Sequence, residues 1–351
     1  MKKISTLRLG FAFAGTFMGA GYVSGQEIWQ FFGRFGAGAL PGLVLAVVLM
    51  GAIGAMIWDL ARSLNITEID RLVVERDIPA LRWTLSAVQA VMLFGFAVIM
   101  CAGAVALCVQ QWDLPAVPCA VVLSIAVVVV SLAGIPGLVN LFSCLVPVLC
   151  AVTVAAAVAA PLMAGGLPAA SAAPAEAFGG WPVSAVVFFA YNTFGAIGIL
   201  APIGTMVADR RSIHRSILIG CAILMAIALS VLVAMAAIPG AESAEMPMLS
   251  VVTVCFPWLA PAYAVVLLVT MFGATLSCLV ALMTFLQEKS AAVRSHRVLW
   301  TAGIMAAALL GSFVGFSNLI GVLYPIFGWC GIGFLILLAI HWLHKRKELS
   351  L

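Results

Sequence analysis

Charged residues are scarce in this sequence. Asp, Glu, Lys and Arg make up 9% of its 351 residues, hydrophobic residues make up 65%, and the mean hydropathy is +1.22. A soluble domain carries about a quarter charged residues, so water cannot be the only solvent of this chain. The formal net charge of +4 arises from residues between apolar runs, and it does not indicate nucleic-acid binding.

Sequence motifs of enzymes and metal sites are also missing. The nine cysteines form no C-x-x-C pair, and no H-E-x-x-H sequence occurs. Val23-Ser24-Gly25 contains a serine, but no histidine lies at membrane depth to act as its base. Cysteine in apolar sequence serves as a small hydrophobe. We therefore predict that the protein is not an enzyme and holds no cofactor.

What remains is a set of long apolar runs. They are far longer than the roughly ten alternating residues of a barrel strand, and a spanning helix satisfies its own backbone groups in lipid. Runs of about twenty apolar residues predict ten transmembrane helices, over residues 9–32, 37–61, 81–110, 115–133, 138–163, 182–207, 213–238, 261–287, 297–315 and 319–343. The predicted fold class is an all-α polytopic membrane protein whose residues 1–351 form a single transmembrane domain.

Basic residues predict the orientation of these helices. If the N-terminus lies inside, all of the 17 Lys and Arg residues except Arg34 fall on one side, and the positive-inside rule makes that side the cytoplasm. We therefore predict a multi-pass protein of the inner (cytoplasmic) membrane with both termini in the cytoplasm. The predicted partners are the lipid bilayer and a small-molecule solute, and the oligomeric state is left open.

The ten spans divide into two similar halves. Five lie within about residues 9–163 and five within about residues 182–343. Since five is odd, the second half must cross the membrane in the opposite sense to the first. Inverted repeats of this kind are typical of secondary transporters, whose solute site lies where the two repeats meet.

The first helix of each half contains a cluster of glycines. One cluster lies within Thr16–Gly25 and the other within Thr193–Gly198. Glycine weakens a helix interior by about 1 kcal/mol relative to alanine, so helices one and six are predicted to be broken near the membrane midplane. Unwound backbone at that depth lines an enclosed cavity and can bind an ion or a carboxylate. The alternative is close packing of continuous helices on small residues.

At these residues the sequence resembles a known family. Arg8-Leu9-Gly10 followed by Ala14–Gly21 is similar to the first helix of LeuT-fold transporters, in the amino acid–polyamine–organocation (APC) superfamily. The string Gly19–Ile28, with the short ten-helix chain, most resembles the YkvI-like branch, known mainly as uncharacterised membrane proteins. Phe194–Ile197 resembles the break in helix six, and residues 285–288 with 298–302 resemble the junction of helices eight and nine. The resemblance implies a LeuT-like 5+5 inverted repeat with broken helices 1 and 6.

The resemblance also implies a solute site and an ion site. The solute headgroup is expected on the backbone of Phe17, Ala20 and Gly21. The opposite wall is expected to consist of Tyr191, Asn192, Thr193 and Phe194, with Phe194 as an aromatic lid over the solute.

A sodium ion is the one bound ion that the resemblance implies. It is expected at the carbonyls of Gly15 and Met18 and at two hydroxyls of helix eight. The register of the family falls on the non-hydroxyl pair 273–274, so the hydroxyls available here are those of Thr275 and Ser277, slightly downstream.

Glu27 is the only carboxylate well inside a predicted helix. An ionisable group at membrane depth indicates function, so Glu27 is a candidate to relay a proton or to pair with an amine of the solute. Ser24-Gly25-Gln26-Glu27 also has the pattern of a capping box, in which the glutamate only restarts the helix after the break. Both roles stay open at this point.

Pattern and resemblance together predict a secondary active transporter. The expected solute is small and amino-acid-like, an amine or a carboxylate, moved by alternating access and coupled to sodium or protons, with symport and exchange both left open. The alternatives are a transporter-shaped sensor or receptor without net transport, and a channel. Measured solute flux separates a transporter from a sensor, and saturation separates a transporter from a channel.

Overall fold

The computed structural model describes residues 5–65, 72–73, 78–133, 138–166, 179–207 and 209–348, with the backbone alone described at 138–146 and 347–348. In this part of the chain the regular structure is entirely helical and no strand occurs. The helices are α1 Thr6–Phe17, α2 Ala20–Val23, α3 Gln26–Phe31, α4 Ala39–Leu64, α5 Pro79–Trp112, α6 Ala116–Ala133, α7 Leu138–Met163, α8 Trp181–Thr205, α9 Arg210–Ala237, α10 Pro247–Cys255, α11 Ala260–Lys289, α12 Ala291–Ser295, α13 Arg297–Ser312 and α14 Phe316–Glu348.

The long helices agree closely with the predicted spans. Nine of the ten predicted spans coincide with one helix each, apart from a few residues at the ends, and the tenth, 9–32, is covered by α1, α2 and α3 in succession. Among the residues that the structure describes, seven helical segments are long and apolar enough to cross a membrane, and the apolar segments Pro147–Met163 and Arg297–Ser312 are shorter. The chain is therefore a multi-pass helical membrane protein.

Helices from the two predicted halves interlock. α1 packs against α9, and α8 packs against α4, so that the first helix of each half contacts the second helix of the other. α5 and α11, the third helices of the two halves, also pack against each other. One cluster of buried apolar side chains connects all of these helices. The interlocking places α1–α3 and α8 between helices of both halves.

Large apolar side chains also cover the outside of the bundle. On α6 the exposed fractions lie between 40% and 65% for Val117, Val121, Val122, Ile125 and Val129. A water-soluble monomer does not present such a continuous apolar surface. Hydrocarbon suits it, because α6 satisfies its own backbone groups and needs nothing polar from its surroundings.

The break predicted in helix six is absent, so that prediction is wrong. α8 continues without interruption through the segment 191–198. One glycine costs a helix only about 1 kcal/mol relative to alanine, which the burial of neighbouring side chains such as Phe188 and Leu200 offsets. At Gly195 the ring of Phe96 lies 3.4 Å from the position that a Cβ would take. That distance is an ordinary van der Waals contact, so a small side chain would fit there and close packing does not explain this glycine.

Candidate functional site

Helix one is interrupted twice. α1 ends at Phe17, because Met18 (φ −80°, ψ 82°) and Gly19 (φ −81°, ψ 175°) leave the helical region, and α2 has only four residues. The second interruption is at Gly25, whose φ of 87° is a left-handed conformation that side chains disfavour. The glycines predicted to break this helix therefore lie at both interruptions.

The backbone freed by the second interruption is satisfied from other helices. The hydroxyl of Tyr263 donates to the carbonyl of Val23 at 3.1 Å, and the backbone N–H of Met248 donates to the carbonyl of Ser24 at 2.9 Å. The hydroxyl of Tyr22, on α2 itself, donates to the carbonyl of Leu224 at 2.8 Å. These hydrogen bonds connect α2 and the residues after it to α9, α10 and α11. They matter because a buried carbonyl left unpaired would cost about 1–3 kcal/mol.

Glu27 lies beside the interrupted segment and is 4% exposed. Its Oε2 accepts a hydrogen bond of 2.9 Å from the hydroxyl of Tyr191 on α8. The hydroxyl of Tyr324 on α14 is a second hydrogen-bonding neighbour of the carboxylate. Oε1 lies against the Cα of Gly21, where a Cβ would collide with it. The carboxylate therefore bridges the break in helix one, α8 and α14.

The predicted capping box is not formed. The N-cap of α3 is Gly25, which offers no side chain, and the hydroxyl of Ser24 donates to the carbonyl of Gly21 at 2.9 Å. The carboxylate of Glu27 is held by Tyr191 instead. Capping therefore does not explain why a glutamate is buried here.

Aromatic rings pack around the two tyrosines at the carboxylate. The rings of Tyr191 and Tyr324 are stacked with centroids 4.4 Å apart, and those of Phe31 and Phe188 lie 5.5 and 5.6 Å from Tyr191. Phe96 on α5 lies 5.7 Å from Tyr324. All four tyrosines of the chain are buried: Tyr191 donates to Glu27 and Tyr324 lies beside it, Tyr263 donates to the interrupted segment, and Tyr22, within that segment, donates to α9.

No cationic side chain balances Glu27. In the described part of the chain, neither a lysine, an arginine nor a histidine contacts its carboxylate, and its polar neighbours are the two tyrosine hydroxyls. Among the same residues, no group of three or more His, Cys, Asp and Glu side chains is close enough to hold a metal ion.

The predicted solute residues are only partly brought together. Gly21 and Tyr191 meet at Glu27, and Ala20 is buried next to them in α2. Phe17 packs instead on Phe13 of its own helix, with ring centroids 5.1 Å apart.

The rest of the predicted wall on α8 points in several directions. Asn192 donates to the carbonyl of Phe188 at 3.1 Å and stays partly exposed. The Thr193 hydroxyl is fully buried and has no hydrogen-bond partner among the described residues. The ring of Phe194 stacks on Phe334 of α14 with centroids 5.4 Å apart, so in this conformation Phe194 is part of the helix packing and does not form the predicted lid.

The predicted sodium ligands do not converge. α1 ends at Phe17, which frees the carbonyls of Gly15 and Met18 from a regular helical ladder. Thr275 is buried, and its hydroxyl donates to the carbonyl of Met271 at 2.9 Å, whereas Ser277 is exposed. Residues two apart on a helix point about 200° away from each other. The two hydroxyls therefore cannot serve one ion, and the residues do not fit the expected site.

Sequence reasoning missed Tyr324 and Phe96. No local pattern distinguishes them, since their partners are more than one hundred residues away in the chain. The rarity of tyrosine was the available signal, because only four occur in 351 residues rich in other aromatics. A scarce polar aromatic in an apolar helix has a hydroxyl that needs a partner.

The two sides of the interrupted segment differ in accessibility. A Cβ on Gly15 or Gly19 would meet no atom within 4 Å, and Phe11 on the same face of α1 is 55% exposed. The other side is covered by α10. There, next to the hydrogen bond from Met248, Oε2 of Glu245 accepts a hydrogen bond of 2.8 Å from the N–H of Ser317.

Comparison with known proteins agrees with this architecture. YkvI of Bacillus subtilis strain 168, described as an uncharacterised membrane protein, is 22% identical over 351 residues, or 99% of each chain. The inward-facing structure of Mhp1 is 13% identical, with a TM-score of 0.56 over 98% of this chain and 77% of Mhp1. A variant of the Eremococcus coleocola manganese transporter has 13% identity and a TM-score of 0.48 over 97% of this chain and 85% of its own, too low to establish a shared fold. No protein-family model matches the chain. The chain thus resembles YkvI along its whole length and has the LeuT-type fold of Mhp1.

Proposed function

We propose that this protein is a secondary active transporter of a small amino-acid-like, amine or carboxylate solute, working by alternating access and coupled to an ion. The observation that carries the proposal is the interrupted first helix with the buried carboxylate of Glu27 against it. Irregular backbone and an ionisable side chain are both costly at membrane depth. Their coincidence in a bundle that shares the fold of Mhp1 supports a binding role.

The proposal includes ten spans in two inverted halves, with α1–α3 together as span one and both termini in the cytoplasm. The pairing of α1 with α9 and of α8 with α4 supports inversion, since it relates equivalent helices of the two halves. The distribution of basic residues supports the orientation. On these grounds the membrane is the cytoplasmic one.

The two sides of the interrupted segment are covered differently. With the N-terminus inside, Gly15 and Gly19 lie on the cytoplasmic side of Gly25, where a Cβ would meet no atom within 4 Å, and α10 lies against the external side. Opening to the outside then requires α10 to separate from Ser24 and the preceding Glu245 to separate from Ser317, while α1 closes against its neighbours. Alternating exposure of one site in this manner is the transport cycle of inverted-repeat proteins.

A proton is favoured as the coupling ion. The hydroxyls expected at the sodium site face different directions, whereas Glu27 provides a buried group that can accept a proton. Protonation at membrane depth removes the cost of burying a charge. Coupling by Glu27 therefore needs no residue beyond those that already meet at the site.

Flux measurements on reconstituted protein test the proposal. Proteoliposomes are prepared empty or loaded with an unlabelled amino acid, amine or carboxylate, and uptake of the labelled solute from outside is followed under imposed proton or sodium gradients. We expect saturable uptake that unlabelled solute on the opposite side accelerates, because one site alternates between the two faces. Flux that never saturates would indicate a channel, and binding without flux would indicate a sensor; either result contradicts the proposal.

A further inference from the structure

We propose that Glu27 binds the positively charged group of a compact organic cation and, in alternation, a proton, so that the protein exchanges one such cation for one proton. This inference rests on the proposed transport function and narrows its solute to a cation.

An ionised Glu27 needs a positive partner. A carboxylate transferred from water to an apolar interior without compensation costs many kcal/mol, and two hydroxyl donors compensate only part of that cost. No lysine, arginine or histidine of the described residues supplies the missing charge. The partner must therefore come from outside the protein, as a proton or as a cationic solute.

The site has acceptors for the N–H groups of a cation. Tyr191 uses its hydrogen on Oε2 of Glu27, so its own oxygen stays available as an acceptor, and the carboxylate has lone pairs beyond those used by the two tyrosines. The rings of Phe31, Phe188 and Phe96 pack on these two tyrosines and keep the surroundings of the carboxylate apolar.

Other ligand classes fit less well. A carboxylate solute would meet the charge of Glu27 with no arginine or lysine to offset it. A divalent metal ion prefers several hard oxygen ligands, whereas Glu27 is the one carboxylate at the site, and no metal-binding group of side chains occurs among the described residues. An ammonium or guanidinium group matches a single carboxylate flanked by phenol oxygens.

Proton and cation exclude each other. The titratable groups that face Glu27 are Tyr22 from α2, Tyr191 from α8 and Tyr324 from α14, with Cys150 next to Tyr22 and Cys278 next to Tyr324. None of them brings a positive charge. Glu27 is neutralised either by the proton or by the cation, and each crossing of the loaded site is electrically neutral. One cation leaves when one proton arrives, and no covalent bond forms or breaks.

Binding to the purified protein tests this exchange directly. Methylammonium, methylguanidinium and tetramethylammonium serve as probes, with acetate and acetamide as anionic and neutral controls, and calorimetry in two buffers counts the protons released. We expect at least one cation to bind at mildly alkaline pH and to bind more weakly as the pH falls. At every pH at which the empty site carries a proton on Glu27, binding should release about one proton and weaken about tenfold for each pH unit of acidification.

Substitutions test whether cation binding depends on Glu27. Glu27→Gln should abolish cation binding while the protein remains folded, Glu27→Asp should retain part of it, and Glu288→Gln, at an exposed position near the end of α11, should bind like the parent protein. Lack of binding by all three cations, binding independent of pH, or unchanged binding by Glu27→Gln would each overturn the inference. If a preparation takes up amino acids but binds no cation, the proposed transport function stands and the cation inference fails. If it binds a cation but shows no flux, the transport function fails and cation binding at Glu27 stands.

Discussion

Gly19 and Gly21 are only two residues apart in the interrupted helix, but their surroundings differ completely. A Cβ on Gly19 would meet no atom within 4 Å, and the backbone there is extended (φ −81°, ψ 175°), which any residue can adopt. Gly21 lies inside the short helix α2, where a Cβ would collide with the carboxylate of Glu27. Gly21 is thus required by contact with a side chain rather than by its backbone conformation.

Gly21→Ala is therefore expected to displace Glu27 from Tyr191 and to destabilise the protein by about 1–3 kcal/mol, the usual cost of overpacking. Gly19→Ala is the matched control and should cost much less. Thermal unfolding of the purified variants measures stability, and cation binding measures whether Glu27 has moved. Equal effects of the two substitutions would show that Glu27 does not occupy the space above Gly21.

The sequence was informative about Glu27 itself but not about its partners. A single carboxylate in an apolar helix can be recognised without a structure, and so can the glycines next to it. Tyr191 lies 164 residues away in the chain, and nothing local indicates that the two meet. The capping box failed because it is a local pattern, and here the tertiary contact with Tyr191, together with Gly25 at the N-cap, decided the conformation.

At the scale of helices, apolar length predicted the spans well, because a membrane span must be long, apolar and helical. Clusters of glycine predicted the breaks in helices less well. The cluster in helix one coincides with two interruptions, and the cluster in α8 with none. What separates them is the tertiary support: carbonyls of the interrupted segment receive hydrogen bonds from Tyr263 and Met248, whereas α8 retains its helical hydrogen bonds. Such partners cannot be inferred from glycine counts.

Asp59 connects three helices at the end of α4. Its Oδ2 lies 3.1 Å from Arg210 at the start of α9 and 3.4 Å from the indole nitrogen of Trp342 on α14. Arg62, three residues further along the same helix, is exposed in its last turn. Since Asp59 is nearly buried and Arg210 partly exposed, the pair should contribute more than a surface ion pair.

Asp59→Asn is expected to lower the unfolding free energy by about 1–3 kcal/mol, because it leaves a half-buried arginine without its partner. In Asp59→Asn combined with Arg210→Gln, the loss should be smaller than the sum of the two single losses, since the interaction is removed only once. Arg62→Gln, an exposed change at the same helix end, should stay within about 0.5 kcal/mol. Additive losses in thermal unfolding would show that the two side chains do not interact.

The whole molecule has an apolar girdle with tryptophans near the helix ends. Trp83 and Trp300 lie near the starts of α5 and α13, and Trp112 and Trp258 lie at the end of α5 and just before α11. All four are exposed, from 36% to 78%. Tryptophan is enriched where membrane meets water, so the two pairs are expected to mark the two faces of the bilayer. The cytoplasmic face assigned by basic residues is the face that Trp83 and Trp300 would mark.

Topology mapping tests this arrangement of the whole chain. Reporter fusions at residues 70, 212 and 292 and at the C-terminus should report the cytoplasm, and a fusion at residue 245 the outside. The structure explains why the expected side of the membrane alternates along the chain. One long helix, α9, separates residue 212 from residue 245, and α11 separates residue 245 from residue 292. Two more, α13 and α14, lie between residue 292 and the C-terminus, so both of these points are expected on the same side. An external C-terminus would mean that one of these helices does not cross, and the proposed inversion of two five-span halves would be wrong.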